Sequence, residues 1–223
     1  MLLGVPMNDT PIRVRVCYSK TGNLRFIGHL DTQRLFERAL RRSTLPIRYT
    51  QGFSKHIRLN LASALPLGFI GRAEMLDFWM DEPLDIQEIR DKLQKALPLE
   101  IRILELYQVD NSLPSLQGSL LSSDYIITLP EEISILEFPG KWEQLLSQTE
   151  IPITRREKTL DYKPLIIQNE LLVNPSENLT LKLRLSSIPG GNARPDDLLL
   201  ILGIDLADCV IERVGLNFSS LEG

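Results

Sequence analysis

The hydrophobic periodicity of this chain switches between 2 and 3.6 residues in an order that few folds accommodate. Residues 12–18 alternate between apolar and polar side chains, which is the pattern of a half-buried strand. Residues 29–43 carry an apolar stripe at helical spacing, formed by Leu35, Phe36, Ala39 and Leu40. The pattern then predicts strands at 47–50, near 57–61 and at 72–80, a helix at 85–97 and a strand at 101–109. The order β-α-β-β-α-β is that of a ferredoxin-like domain.

The second half of the sequence has the same order of elements, although no residue-level repeat is visible. It predicts a strand at 124–129, a helix at 139–148, extended segments at 151–158 and 165–173, a turn at 174–178, a strand at 179–186, a helix from Pro195 to Gly203 and a strand at 209–216. We therefore predict an α+β protein, an α/β sandwich of two tandem ferredoxin-like βαββαβ domains. Its predicted parts are a disordered tail at 1–11, a basic domain at 12–110, a linker at 111–123, a second domain at 124–218 and a tail at 219–223.

The composition is that of an ordinary globular protein, with 43% hydrophobic residues. No apolar run is long enough to span a membrane, and the first residues do not read as a secretory signal. The two cysteines, Cys17 and Cys209, are too few for a metal site or a disulfide framework. We expect a cytoplasmic protein with reduced thiols, no metal and no cofactor.

Charge is strongly segregated along the chain. The stretch from Arg13 to Arg58 carries a net charge of +9, whereas the remainder carries −13 and the whole chain −4. Such a split indicates an anionic partner. The candidate RNA- or anion-binding residues of this stretch are Arg13, Arg15, Lys20, Arg25, Arg34, Arg38, Arg41, Arg42, Arg48, Gln51, Gly52, Phe53, Lys55, His56 and Arg58.

Residue chemistry explains the choice of these positions. The four arginines of the predicted helix fall opposite its apolar stripe, and arginine forks match phosphate geometry. Gly52 would allow close approach of a phosphate, and Phe53 offers a ring for base stacking. The alternative is a solvated helix face, with Asp77 neutralising Arg13 or Arg15 and an open sheet face used for contact between domains.

Both histidines of the chain, His29 and His56, also lie in this stretch. Imidazole titrates near neutral pH, so they are weak candidates for the acid and base of a metal-independent ribonuclease. Both also have good structural alternatives, and a binding role is favoured over a catalytic one. We also predict that Lys20, Arg25 and His29 converge with residues 52–56 in one pocket.

Two later segments are predicted to have structural roles only. Residues 190–195 precede a helix but lack the lysine of a P-loop, and Asp196 and Asp197 would repel phosphate, so this segment is interpreted as a turn. Arg155, Arg156 and Lys158 are interpreted as a solvated strand edge.

Several motifs resemble the radical-SAM-linked proteins, bacterial domains fused to, or encoded beside, a cobalamin-type radical-SAM enzyme. The resemblance rests on YSKTGNLRFIGHLD at 18–31, the arginine-rich helix, YTQGFSKH at 49–56, ALPLG at 64–68, EKTLDYKPLI at 157–166 and GGNARPDDLLLILG at 190–203. It implies a radical-SAM enzyme as partner. Such chemistry needs three closely spaced cysteines, which this sequence lacks, so the cluster would lie on another polypeptide or domain.

The leading functional hypothesis is a non-catalytic RNA-binding module, for tRNA or another structured RNA, that presents substrate to a radical-SAM enzyme. The first alternative is a metal-independent endoribonuclease, since the predicted fold and basic helix resemble the repeat-processing proteins of CRISPR systems. The second alternative is a protein-interaction domain that docks an acidic partner.

Overall fold

The structure is a computed structural model, which describes residues 10–155, 157–173 and 179–219. It is an α+β protein. Its strands are β1 (Ile12–Lys20), β2 (Leu59–Leu61), β3 (Ile70–Met80), β4 (Ile101–Val109), β5 (Leu120–Thr128), β6 (Pro152–Arg155), β7 (Lys158–Asp161), β8 (Ile166–Leu172), β9 (Thr180–Ile188), β10 (Gly191–Asn192) and β11 (Val210–Phe218). Its α-helices are α1 (His29–Arg42), α2 (Ile86–Ala96), α3 (Leu116–Ser119), α4 (Phe138–Ser147) and α5 (Pro195–Ile201). No helix in the described ranges is long and apolar enough to cross a membrane.

The chain divides into two compact units. The described residues of the first unit lie within Met1–Leu67 and Ala73–Ser119, and those of the second within Gly68–Arg72 and Leu120–Ser219. Because β3 begins at Ile70, its first residues belong to the second unit.

In the first unit the strands are ordered β4-β1-β3, and β2 pairs with the other edge of β3. Alternate residues of these strands face α1 and α2, as the period of 2 predicts. The resulting core contains Val14 and Val16 of β1, Phe36 and Leu40 of α1, Leu76 and Phe78 of β3, and Ile89 and Leu93 of α2. The side chain of Asp85 caps α2 by accepting from the backbone amides of Gln87 and Glu88.

Strand register defines two ends of the first unit's sheet. Lys20 pairs with Ile101 at one end, which we call the Lys20 end. Arg13 pairs with Val109 at the other end of β1 and contacts Asp77, close to the last residue of β3, Met80. We call this the Met80 end. Lys20 is seven residue steps along β1 from Arg13, or about 23 Å at the usual rise.

In the second unit the strands are ordered β9-β5-β11, and β8 and β10 both pair with the free edge of β9. Glu212 and Arg213 of β11 also pair in parallel with Ile70 and Gly71. The hairpin of β6 and β7 forms a separate two-stranded sheet. Apart from this hairpin and β10, the order is again strand, helix, strand, strand, helix, strand, with the first and third strands adjacent as in the first unit.

Several boundaries differ from the sequence-based prediction. Residues 47–50 form only isolated bridges, Ile47 with Met80 and Tyr49 with Ile57, rather than a strand. The predicted linker at 111–123 contains α3 and the first residues of β5. The predicted extended segment 151–158 is part of a hairpin. Arg156, the predicted turn at 174–178 and most of both predicted tails lie outside the described residues.

Candidate nucleic-acid interface

Helix α1 presents its arginines to solvent, as its periodicity predicts. Arg34, Arg38, Arg41 and Arg42 are all exposed, opposite the buried Phe36, Ala39 and Leu40. Arg34 pairs with Asp31 at 3.3 Å, and both side chains are exposed. Arg41 lies 3.8 Å from Glu37, whose side chain is partly buried. Such pairs contribute little to stability, so their arginines can readily bind another anion instead. Arg38 has no ion-pair partner among the described residues.

Three of these arginines line one groove. The groove has a volume of about 530 Å³, and its walls carry Arg34, Arg38 and Arg42. Its apolar surface is formed by Leu24, Ile27, Leu35, Ala96, Leu97 and Pro98, and its one acid among the described lining residues is Asp31. We call this the α1 groove. Arg42 closes one side by donating to the carbonyl of Ala96 at 2.6 Å.

A second cavity adjoins the α1 groove through shared residues. Its volume is about 400 Å³, and Arg42 and Ala96 belong to both. Two further cations of α2 lie there, Lys95 and Lys92, of which Lys92 also pairs with Glu88 at 2.7 Å. Neither lysine was among the predicted binding residues, because both lie outside the basic stretch, although their spacing places them on one helix face. The fold therefore extends the positive surface onto α2.

Residues 47–58 form a basic hairpin, which is the second exposed feature. The amide of Thr50 donates to the carbonyl of His56 at 2.8 Å, and Tyr49 bridges to Ile57. Residues 51–56 at the tip are all exposed, and Phe53 is fully exposed. Gly52 has a φ of 120°, a conformation that favours glycine. A fully solvated aromatic ring beside Lys55 and His56 is a suitable stacking surface.

The root of this hairpin is a cluster of arginines around Trp79. The guanidinium of Arg58 lies 4.2 Å from the Trp79 ring centroid and that of Arg13 lies 5.5 Å from it. The pKa of Arg58 is lowered, first by burial of its side chain and then by the charges of Arg48 and Arg13. Arg48 also pairs with Asp81 at 3.2 Å. Cation–π contact with Trp79 thus helps to hold cations of like charge together.

The prediction that Arg13 and Arg15 lie on an open anion-binding face is wrong. Both side chains are buried, and both bind the buried carboxylate of Asp77: Arg13 Nε and Nη2 at 2.9 and 2.5 Å, and Arg15 Nε at 2.8 Å. The carbonyls of Leu113 and Pro114 accept two further bonds from Arg13. The segment that was predicted as a linker therefore covers this sheet face, and the alternative in which Asp77 neutralises these arginines holds.

The predicted pocket that joins Lys20 and His29 to the hairpin does not exist. Lys20 is buried and donates to the Ile27 carbonyl at 2.9 Å and to Thr32 Oγ1 at 3.3 Å, at the start of α1. Lys20, His29 and the buried Glu74 line a cavity of about 10 Å³, room for one water molecule at most. This cavity is at the Lys20 end, whereas the hairpin leaves the sheet beside Met80.

His29 and His56 are therefore at opposite ends of the sheet. They are not placed to serve as the acid and base of one reaction, because about 23 Å of strand β1 lies between the two ends of the sheet. Arg25 is half-buried and stacks on Phe26 at 4.6 Å, near the Leu24 and Ile27 that line the α1 groove. Among the described residues, no group of three or more His, Cys, Asp or Glu side chains is arranged to hold a metal.

The fold and this surface define an α+β protein with a basic groove on one helix and a separate basic hairpin. The chain belongs to a bacterial family described as "uncharacterized protein conserved in bacteria (DUF2344)", whose model matches residues 13–195. No curated protein gives a significant match to the sequence.

Proposed function

We propose that this chain is a non-catalytic RNA-binding module that serves a radical-SAM enzyme. The α1 groove is the observation that carries the RNA-binding part. Three arginines on one wall face an apolar surface, with two lysines in the adjoining cavity. Phosphates would bind the guanidinium and ammonium groups, and a base or ribose would contact the apolar surface.

The basic hairpin supplies a second contact for single-stranded RNA. Its tip carries Phe53, which is solvated on all sides, together with the exposed Lys55 and His56. Aromatic side chains bind unpaired bases with little sequence preference because every base has a stacking face. The proposed mode is therefore a backbone clamp at the α1 groove and a stacking contact at Phe53.

Charge reversal in the groove tests the RNA-binding part. Arg34→Glu combined with Arg38→Glu changes two exposed side chains opposite the buried stripe of α1, so the fold is expected to persist. Fluorescence anisotropy with a labelled single-stranded RNA is expected to show at least a tenfold loss of affinity. The log–log salt slope is expected to become shallower by about 1.4, because each lost single-strand phosphate contact contributes about 0.7.

The matched control changes the net charge equally at exposed positions outside the groove. Arg102→Glu on β4 and Lys141→Glu on α4 fulfil this condition. If this control lowers RNA affinity as much as the groove variant does, the binding is a response to net charge alone. RNA affinity that is unchanged in the groove variant refutes the assignment.

The partner is supported by the resemblance of residues 18–31, 49–56 and 64–68 to radical-SAM-linked proteins. Its test is capture of the tagged chain from bacterial cells, followed by mass spectrometry. Enrichment of an enzyme with the three-cysteine cluster motif is expected. If a partner binds in a way that salt abolishes and RNA does not, the chain is a protein-docking domain instead.

A further inference from the structure

Two sequence stretches that the proposed function leaves unused meet in the second unit. One is 157–166 and the other is 190–203. The hydroxyl of Tyr162 donates to Asp197 Oδ2 at 2.5 Å, and Arg155 Nη1 donates to the same oxygen at 3.3 Å. Tyr162 and Asp197 are both buried. The contact joins the hairpin of β6 and β7 to the first turn of α5.

Beside this contact lies a cavity of about 320 Å³. It is lined by Ile153, Arg155, Lys158, Leu160, Tyr162 and Asn192. In the hairpin, Ile153 pairs with Leu160 and Arg155 pairs with Lys158, so that each pair is one layer of the wall. The cavity therefore has an apolar layer of two aliphatic side chains, a cationic layer, and an amide from β10.

Nearby acids compensate this positive layer only in part. Asp197 pairs with Arg155 through Nη1 at 3.3 Å and also accepts from Tyr162. Asp196 accepts from Arg194 Nε at 2.9 Å. Burial, together with the bond to Asp197, raises the pKa of Tyr162, so its hydroxyl stays neutral and adds no negative charge. Lys158 is exposed and has no ion-pair partner among the described residues.

We infer that this cavity binds a small organic phosphate. A phosphate monoester carries nearly two negative charges at neutral pH, which Lys158 and the partly compensated Arg155 would attract. Its organic group would pack on Ile153, Leu160 and the ring of Tyr162, and the Asn192 amide would donate to a phosphate oxygen. The volume is at the lower end of the range for small-molecule sites. The site is independent of the α1 groove. It would give Arg155 and Lys158, which are exposed on the hairpin as the interpretation of a solvated strand edge expects, a role in binding.

The test uses phenyl phosphate as the probe on the full chain, by isothermal titration calorimetry. Saturable binding is expected, with inorganic phosphate and benzyl alcohol each at least tenfold weaker because each supplies half of the contacts. Lys158→Gln removes an exposed ammonium group and is expected to weaken binding at least tenfold. Asn192→Ala, on β10, is expected to weaken binding by a smaller factor.

The groove variant separates this site from the proposed function. Arg34→Glu with Arg38→Glu is expected to leave phenyl phosphate affinity unchanged, even where it abolishes RNA binding. The inference is overturned if phenyl phosphate fails to saturate the wild-type chain, if Lys158→Gln binds it as tightly as the wild type, or if the groove variant loses it. Circular dichroism of each variant confirms that the fold is retained.

Discussion

Replacing Asp77 with alanine is expected to destabilise the first unit more than any surface change. One carboxylate compensates two buried guanidinium groups, those of Arg13 and Arg15, in a site with almost no solvent access. Removing one partner of a buried ion pair typically costs about 3–5 kcal/mol, because a buried charge is left without compensation. Here two charges are left, so we expect at least the lower bound of that range. A domain of ordinary stability has about 5–15 kcal/mol in total.

The isosteric Asp77→Asn variant separates charge from shape. Its amide oxygen can still accept a hydrogen bond, but its NH₂ group faces the donors of Arg13 and Arg15. Hydrogen bonds to a charged group contribute about 1.5–3 kcal/mol each. We therefore expect a loss of about 2–3 kcal/mol for asparagine, between the alanine variant and the wild type. Arg15 Nη1 already lacks a hydrogen-bond partner in the described part of the chain, so the network has little capacity to rearrange.

An exposed pair supplies the control. Glu170 accepts from Lys182 at 3.1 Å across β8 and β9, and both side chains are about half exposed. Screening by water and the loss of side-chain entropy reduce the contribution of such a pair to the free energy of unfolding to about 0–1 kcal/mol. Glu170→Ala is therefore expected to cost less than about 1 kcal/mol.

The two tryptophans of the chain allow the measurement. Trp79 lies in the first unit, 5.5 Å from the Arg13 guanidinium, and Trp142 lies in the second. In a Trp142→Phe background, the fluorescence of Trp79 reports urea unfolding of the first unit, where Asp77 lies. In a Trp79→Phe background, the fluorescence of Trp142 reports unfolding of the second unit, where Glu170 lies. The free energy of unfolding follows from linear extrapolation. A loss below about 1 kcal/mol for Asp77→Ala, no larger than that of Glu170→Ala, would refute the reasoning.

Two further outcomes follow from the exposed hairpin and from the two half-buried thiols. Phe53→Ala is expected to weaken single-stranded RNA binding by about 1–3 kcal/mol, as measured by fluorescence anisotropy. The free energy of unfolding is expected to stay unchanged, because the ring is fully exposed and contacts no core. The control is Leu136→Ala, which removes another exposed apolar side chain, in the second unit. If both variants have the same RNA affinity, the stacking role of Phe53 is contradicted. The pKa of Cys17 is raised to about 11, first by burial and then by the charges of Glu105 and Glu74. The pKa of Cys209 is also raised to about 11, first by burial and then by the charges of Asp208 and Asp205. Because the thiolate is the reactive form, iodoacetamide at pH 8 is expected to alkylate both thiols about 100-fold more slowly in the native chain than in urea, as measured by mass spectrometry. Equal native and unfolded rates would show that neither thiol is protected.

The sequence alone determined most of the secondary structure. Period-2 alternation identified β1, and the apolar stripe identified α1 within one residue at its end. The exposure of the α1 arginines followed from the same periodicity, because a helix with one buried face must present the opposite face to solvent. The exposed tip around Phe53 followed from its glycine and polar neighbours.

Tertiary structure decided which of the charged residues remain available to a ligand. Arg13, Arg15 and Lys20 look identical in sequence to the exposed cations, yet each is buried. Asp77, the partner of Arg13 and Arg15, lies more than 60 residues away, on a strand that becomes their neighbour only through the β4-β1-β3 order. Strand order likewise placed His29 and the hairpin at opposite ends of one sheet. Packing of the segment after β7 against α5 brought Tyr162 to Asp197. Local pattern reports which face a side chain occupies, but burial of a charge depends on partners that only long-range packing brings into contact.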